Sequence, residues 1–192
     1  MIRTIPAERL QPNPIELAAR LQSRIPVEGV ETYLKNLQEV ITCRYSYQRV
    51  PIIRSGNSLD LGFQSTQSRS LTKNLEGCRE AFLFAVTLGI GVDRLLMRLS
   101  ASDLAGHFIT DALASALADA ACDEAEREIR GALNCTKRYS PGYGDLPLNL
   151  QEPLLQFLQG QKLGITLTKN LLMVPTKSIT AIMGIKDENK PS

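Results

Sequence analysis

The chain of 192 residues has no tryptophan and one histidine, His107. A lone imidazole argues against a multi-histidine metal site and against a histidine-based triad. Four cysteines are present, Cys43, Cys78, Cys122 and Cys135, and none forms a C-x-x-C pair. That spacing predicts no zinc or iron–sulfur centre; it reads as packed thiols in a reducing compartment. Without tryptophan there is no sign of a platform for stacking bases. No apolar run approaches the roughly 20 residues of a membrane span. Met1-Ile2-Arg3-Thr4 leads into polar residues rather than a signal sequence. A cytoplasmic protein is expected. The formal net charge is only +2, and like charges never cluster beyond two or three residues. Neither nucleic acid nor an anionic membrane is expected as a partner.

What remains is an ordinary globular composition, 43% hydrophobic and 22% charged, in a length that suits one domain. Residues 14–25 and 29–42 repeat apolar residues at helical spacing, with Pro14 suited to a first turn. Residues 45–53 are rich in β-branched and aromatic types and read as a strand, placed at an edge by Pro51. Ser55-Gly56-Asn57 is a turn, and 59–63 alternates as its hairpin partner. Ser70 reads as the cap of a short helix over 71–76. Residues 78–89 read as a buried strand and 90–99 as a helix. Gly89-Ile90-Gly91 between them lacks the rest of a phosphate-binding motif and reads as a strand-to-helix turn.

The longest helix is expected over 103–133, capped by Ser100–Asp103. Ala114, Ala118, Ala121, Ala125, Ile129 and Ala132 fall at intervals of three and four, so they share one face that admits a close neighbour. Asp119, Asp123 and Glu126 lie off that face. Asp123–Arg127 and Glu126–Arg130 are expected as i,i+4 pairs. Asp119 has no such partner and is kept as a candidate ligand residue. A helical pattern over 148–164, a strand over 165–168 and a last strand over 178–185 follow. Lys177-Ser178 reads as the start of that strand. Mixed elements without βαβ alternation imply an α+β fold with a largely antiparallel sheet. The division expected is a helical segment over 1–42 packed on the main domain, a core over 43–185 and a frayed tail over 186–192.

Just after the long helix comes RYSPGYGD, residues 138–145. Pro141 fixes its own backbone and keeps Ser140 extended. Gly142 can adopt φ > 0 or let a ligand near the main chain. The segment is expected to be a rigid loop with exposed N–H groups. Arg138 offers a planar fork for a carboxylate, and Tyr143 an aromatic face for a base or a cation. Together they suit a small zwitterion with a ring and a positive centre.

Four blocks, CREAFLFAVTLGIGVDRLLMRLS (78–100), DALASALADAACDEAE (111–126), RYSPGYGDLP (138–147) and LTKNLLMVPTKSITAIMG (167–184), extend the pattern. In this order and spacing the chain resembles the S-adenosylmethionine-binding activation domain of cobalamin-dependent methionine synthase, particularly its short, free-standing relatives. The resemblance implies a strongly bent antiparallel sheet with surrounding helices. It implies binding of S-adenosylmethionine and reductive methylation of cob(II)alamin on a separate methionine synthase. The electron would come from flavodoxin or an equivalent donor. By resemblance, Arg138 binds the methionyl carboxylate, and the backbone from Ser140 through Pro141 and Gly142 to Tyr143 holds the rest. Asp119 stands where the family has a glutamate for the ligand's ammonium. No side chain is expected to act as acid, base or nucleophile. The alternative is a non-catalytic module that docks on a corrinoid protein.

Overall fold

The computed structural model describes residues 1–21 and 30–187. The chain opens with strand β1 (Ile2–Thr4), then helices α1 (Pro14–Arg20) and α2 (Val30–Val40). Strand β2 (Arg44–Pro51) leads into a small sheet of β3 (Ile53–Ser55), β4 (Ser58–Asp60) and β5 (Ser65–Thr66). Helix α3 (Arg69–Asn74), strand β6 (Cys78–Thr87), helix α4 (Ile90–Ser102) and the long helix α5 (Leu104–Arg130) follow. Helices α6 (Gln151–Phe157) and α7 (Gly160–Leu163), the paired short strands β7 (Thr166–Leu167) and β8 (Met173–Val174), and β9 (Ser178–Lys186) complete it.

The main sheet runs β1-β2-β6-β9, antiparallel throughout. Successive side chains of β6 point to opposite faces. Phe82, Phe84 and Val86 enter one core with α1, α2, α4 and α5. Ala81, Leu83 and Ala85 enter a second core with α3, α6, α7 and the small sheet. A strand covered on both sides needs a continuous apolar run, and 78–89 supplies it. Within α5, Ala114, Ala121 and Ala125 are fully buried, so the small-residue face does meet the sheet. The Tyr45 hydroxyl donates to Glu128 Oε2 at 2.5 Å, tying β2 to α5. Burial, ahead of that hydrogen bond, pushes the Tyr45 pKa up to about 12. Arg9 clamps Glu124 at 2.7 Å and Glu128 at 2.8 Å from the other side.

Several expectations need correction. β1 has no counterpart among the expected strands: it is three residues long and exposed, too short for a periodic signal. The helix expected over 14–25 reaches Arg20, and 22–29 lie outside the described residues. The strand over 45–53 divides, because Ile52 turns inward to bond Arg79 O. Pro51 sits where β2 has run past the three residues of β1, so it occupies a local edge of an inner strand. The helix over 148–164 is broken: Gln159 adopts φ 57°, a left-handed backbone that separates α6 from α7. Ala132 lies past the end of α5 and is exposed. Among the described residues no helix is long and apolar enough to cross a membrane. Residues 188–192 of the expected frayed tail lie outside the described residues.

Candidate functional site

After α5 the chain returns along the free edge of β9. Tyr139 exchanges both backbone hydrogen bonds with Ile182 at 2.8 Å, and Thr136 N donates to Gly184 O at 2.9 Å. This pairing holds Arg138 beside α5. Residues 119, 123 and 126 are separated by four and three, so their carboxylates line one side of the helix. Arg138 Nη1 donates to Asp123 Oδ1 and, at 2.9 Å, to Glu126 Oε1. Its Nη2 lies 3.8 Å from Asp119 Oδ1, beyond hydrogen-bond reach. Asp119 Oδ2 instead accepts from Arg20 Nη2 of α1 at 2.7 Å.

The i,i+4 pairs expected on α5 are therefore not those formed. Arg127 turns back to Glu124, and Arg138 takes Asp123 and Glu126. Nη1 of Arg138 alone reaches both carboxylates, because the returning chain sets it between them. Asp119, without a partner in sequence reasoning, has one in Arg20, 99 residues away.

The turn itself is closed by its own main chain. Gly142 N donates to Leu146 O at 2.9 Å, Tyr143 N to Ser140 O at 3.1 Å and Leu146 N to Tyr143 O at 2.9 Å. The N–H groups of Gly142 and Tyr143, expected to be exposed donors, are satisfied within the loop. Gly142 sits at φ 92°, the positive φ that its lack of a side chain allows. Pro141 is buried beneath, and Ser140 is half-buried. The Tyr143 ring is 64% exposed, which leaves a face for a ligand. The Tyr139 ring meets it edge to face at 6.3 Å, and the Tyr139 hydroxyl donates to Tyr143 O.

Asp145 anchors the far end of the turn, a role sequence reasoning missed. It accepts from Ser68 Oγ at 2.5 Å, Arg69 N at 2.8 Å and Ser70 N at 3.1 Å, at the start of α3. The true cap of α3 is Ser68, whose Oγ accepts from Leu71 N, rather than Ser70. A partner some 77 residues away leaves no local trace. The Ser68 hydroxyl, aided by the two backbone donors and opposed by burial, holds the Asp145 pKa well below the usual aspartate value. A depressed folded-state pKa stabilises above the unfolded-state value of about 4 and loses that contribution as pH falls through the folded one. The anchor should thus hold from neutrality down to about pH 4 and fail only in stronger acid. Asp145→Asn should remove this part of the acid unfolding limb, read by circular dichroism from neutral to acid. An unchanged limb would exclude the anchor.

The remaining chemistry-bearing residues are committed to structure. Cys122, on α5 beside this face, is fully buried, and burial pushes its thiol up to about 12. Cys43 is raised to about 12 in the same way. Lys177 Nζ donates to Asp111 at 2.7 Å and Ser115 at 2.8 Å, joining the start of β9 to α5. Among the described residues no cluster of His, Cys, Asp or Glu is arranged to hold a metal ion. What is left is a cation flanked by carboxylates beside a rigid turn with an exposed aromatic ring. Such a site can bind and orient a zwitterion but offers no nucleophile.

No protein-family model matches the chain, and no curated protein matches it. Among solved structures, the MetH reactivation domain bound to AdoHcy is similar over 100% of this chain and 80% of that one, with a TM-score of 0.71 at 17% identity. At that identity the likeness is one of fold, and it agrees with the resemblance carried by the sequence blocks. The chain therefore has the α+β fold of a methionine synthase activation domain, antiparallel sheet and flanking helices included.

Proposed function

We propose that this protein binds S-adenosylmethionine at the Arg138–Tyr143 turn and supports reductive methylation of cob(II)alamin on a separate methionine synthase. The observation that carries this reading is the full-length likeness in fold to a domain bound to AdoHcy. The donor set fits a zwitterion. Both hydrogen bonds from Arg138 to α5 leave from Nη1, so the Nη2–Nε edge of the fork is the one a carboxylate takes. Asp123 and Glu126 stay on Nη1, and Glu126, only 18% exposed on its side chain, keeps the guanidinium in place. Asp119 meets the ligand's ammonium once Arg20 releases it. The backbone of Ser140 to Gly142 fixes the distance from Arg138, and the Tyr143 ring covers the purine or the sulfonium.

S-adenosylmethionine, when bound, supplies an electrophilic sulfonium methyl. The protein's task is positional: to hold that methyl toward the partner's corrinoid and keep water away. Flavodoxin or an equivalent donor supplies the electron, and the methionine synthase supplies the cobalamin.

Titration calorimetry tests the reading. Wild-type protein should bind S-adenosylmethionine, and Arg138→Ala should weaken it at least about tenfold, since a charge-assisted, bidentate contact is lost. Arg138→Lys should recover only part, as an ammonium lacks the fork. No heat at millimolar ligand would reject the reading. A second reading, a corrinoid-docking module without methyl transfer, draws on the fact that Arg138 and Asp119 already have partners within the protein. It gains if the ligand does not bind while the corrinoid protein does.

A further inference from the structure

We propose that a second site, the groove between the β3–β4 hairpin and the outer flank of α3, binds a phosphorylated small molecule. The groove encloses about 730 Å³, within the range of small-molecule sites. Arg54, Arg69 and Lys73 line it against a single carboxylate, Glu76. The whole chain carries a net charge of only +2, so this is a local concentration of positive charge. Residues 69, 73 and 76 stand four and three apart and so share one side of the α3 segment.

Arg54 is already held in place. Its Nη1 donates to Cys78 O at 2.9 Å and its Nη2 to Leu75 O at 2.8 Å, closing the end of α3. A guanidinium fixed by two carbonyls loses little further freedom on meeting a ligand, and its remaining N–H groups match phosphate oxygens. Among the described residues neither Arg69 nor Lys73 makes an ion pair. Both side chains are exposed and can close over an anion. Asn57, in the two-residue turn of the hairpin, adds an amide at the opposite wall. The N–H groups that open α3 are not part of the site, since Asp145 and Ser68 already fill them. Three cations in one groove suit one or two phosphoryl groups.

The site is separate from the Arg138 turn, but α3 touches both, through Asp145 at its start and the groove along its flank. It stands or falls without the S-adenosylmethionine reading.

Calorimetry of the full chain at low salt with inorganic pyrophosphate, ATP and adenosine decides it. Pyrophosphate and ATP should bind, adenosine should not, and the affinity should fall as salt rises. The double variant Arg69→Gln/Lys73→Gln should weaken both phosphates about tenfold or more. Both replaced side chains are exposed, so the fold is retained. The proposal is overturned by absence of heat with pyrophosphate and ATP at millimolar concentration. It is equally overturned if the double variant binds like wild type, if adenosine binds as well as ATP, or if an oligonucleotide or acidic polypeptide binds where pyrophosphate does not.

Discussion

Phe84→Ala should lower the stability of the protein by about 3–5 kcal/mol, the cost of removing a buried phenyl group from a packed core. Phe84 is fully buried on β6, the inner strand with both neighbours in place, and faces the helical layer. It pairs with Tyr47 on β2 and with Ala181 on β9. Ala181 precedes Ile182, the residue that exchanges backbone hydrogen bonds with Tyr139. A cavity at Phe84 therefore loosens the edge that carries Arg138. With a total stability of about 5–15 kcal/mol for a typical domain, such a loss removes a large share. Urea unfolding should show a lower midpoint with the slope unchanged. Phe108→Ala supplies the contrast: its ring, on α5, is 46% exposed and should cost under about 1 kcal/mol. Equal losses at the two positions would overturn the assignment of Phe84 to the core.

The fold was legible where burial imposes a pattern. The run over 78–89 had to be covered on both sides, and the alanine spacing of 114–125 had to face a close neighbour; both are found. What local reading missed depends on distant partners. β1 is a strand only because β2 lies beside it, and Ser68 caps α3 while Asp145 locks the same turn from 77 residues away. The candidate site shows the same division. Backbone rigidity at Pro141 and Gly142 follows from covalent geometry and could be read directly. The electrostatics could not. Asp123 and Glu126 looked like partners for Arg127 and Arg130, because helix spacing offers those first. The returning chain sets Nη1 of Arg138 between both carboxylates, and Arg127 pairs with Glu124 instead.

That competition bears on how the proposed site would work. Asp119, Asp123 and Glu126 place three negative charges along one side of α5, and Arg20 and Arg138 return two positive ones. The amino-acid end of S-adenosylmethionine brings one charge of each sign, so that end would leave the local sum unchanged, while the sulfonium would add one positive charge beside the Tyr143 ring. On the proposed reading the ligand's carboxylate would take the Nη2–Nε edge of Arg138, leaving Asp123 and Glu126 on Nη1, and its ammonium would replace Arg20 at Asp119. That exchange swaps one partly exposed ion pair for another, and such pairs contribute about 0–1 kcal/mol each. On that reading, selectivity for a zwitterion over a simple carboxylate would come from the added ammonium contact at Asp119.

Gly91→Val should destabilise the protein by about 3 kcal/mol, the upper part of the usual cost of overpacking. Helix propensity alone gives the opposite sign, because glycine within α4 is less favourable than a residue with a side chain, by up to about 1 kcal/mol relative to alanine. The deciding fact is the neighbour. A Cβ at position 91 would overlap the carbonyl oxygen of Val40 and stand 3.2 Å from its carbonyl carbon. Those atoms belong to the end of α2, which cannot swing aside like the tip of a side chain. Relief requires α2 to move off α4, and Leu37 of α2 and Val92 of α4 are both fully buried in the same core. Steric overlap therefore outweighs propensity, and valine, with two further methyl groups, suffers more than alanine. Gly91→Ala should lose about 1–2 kcal/mol by the same balance. Thermal unfolding of the pair checks the order: wild type first, alanine next, valine last. If Gly91→Ala unfolds above wild type, the helices are not in contact there, and the Gly-Ile-Gly turn needs another explanation.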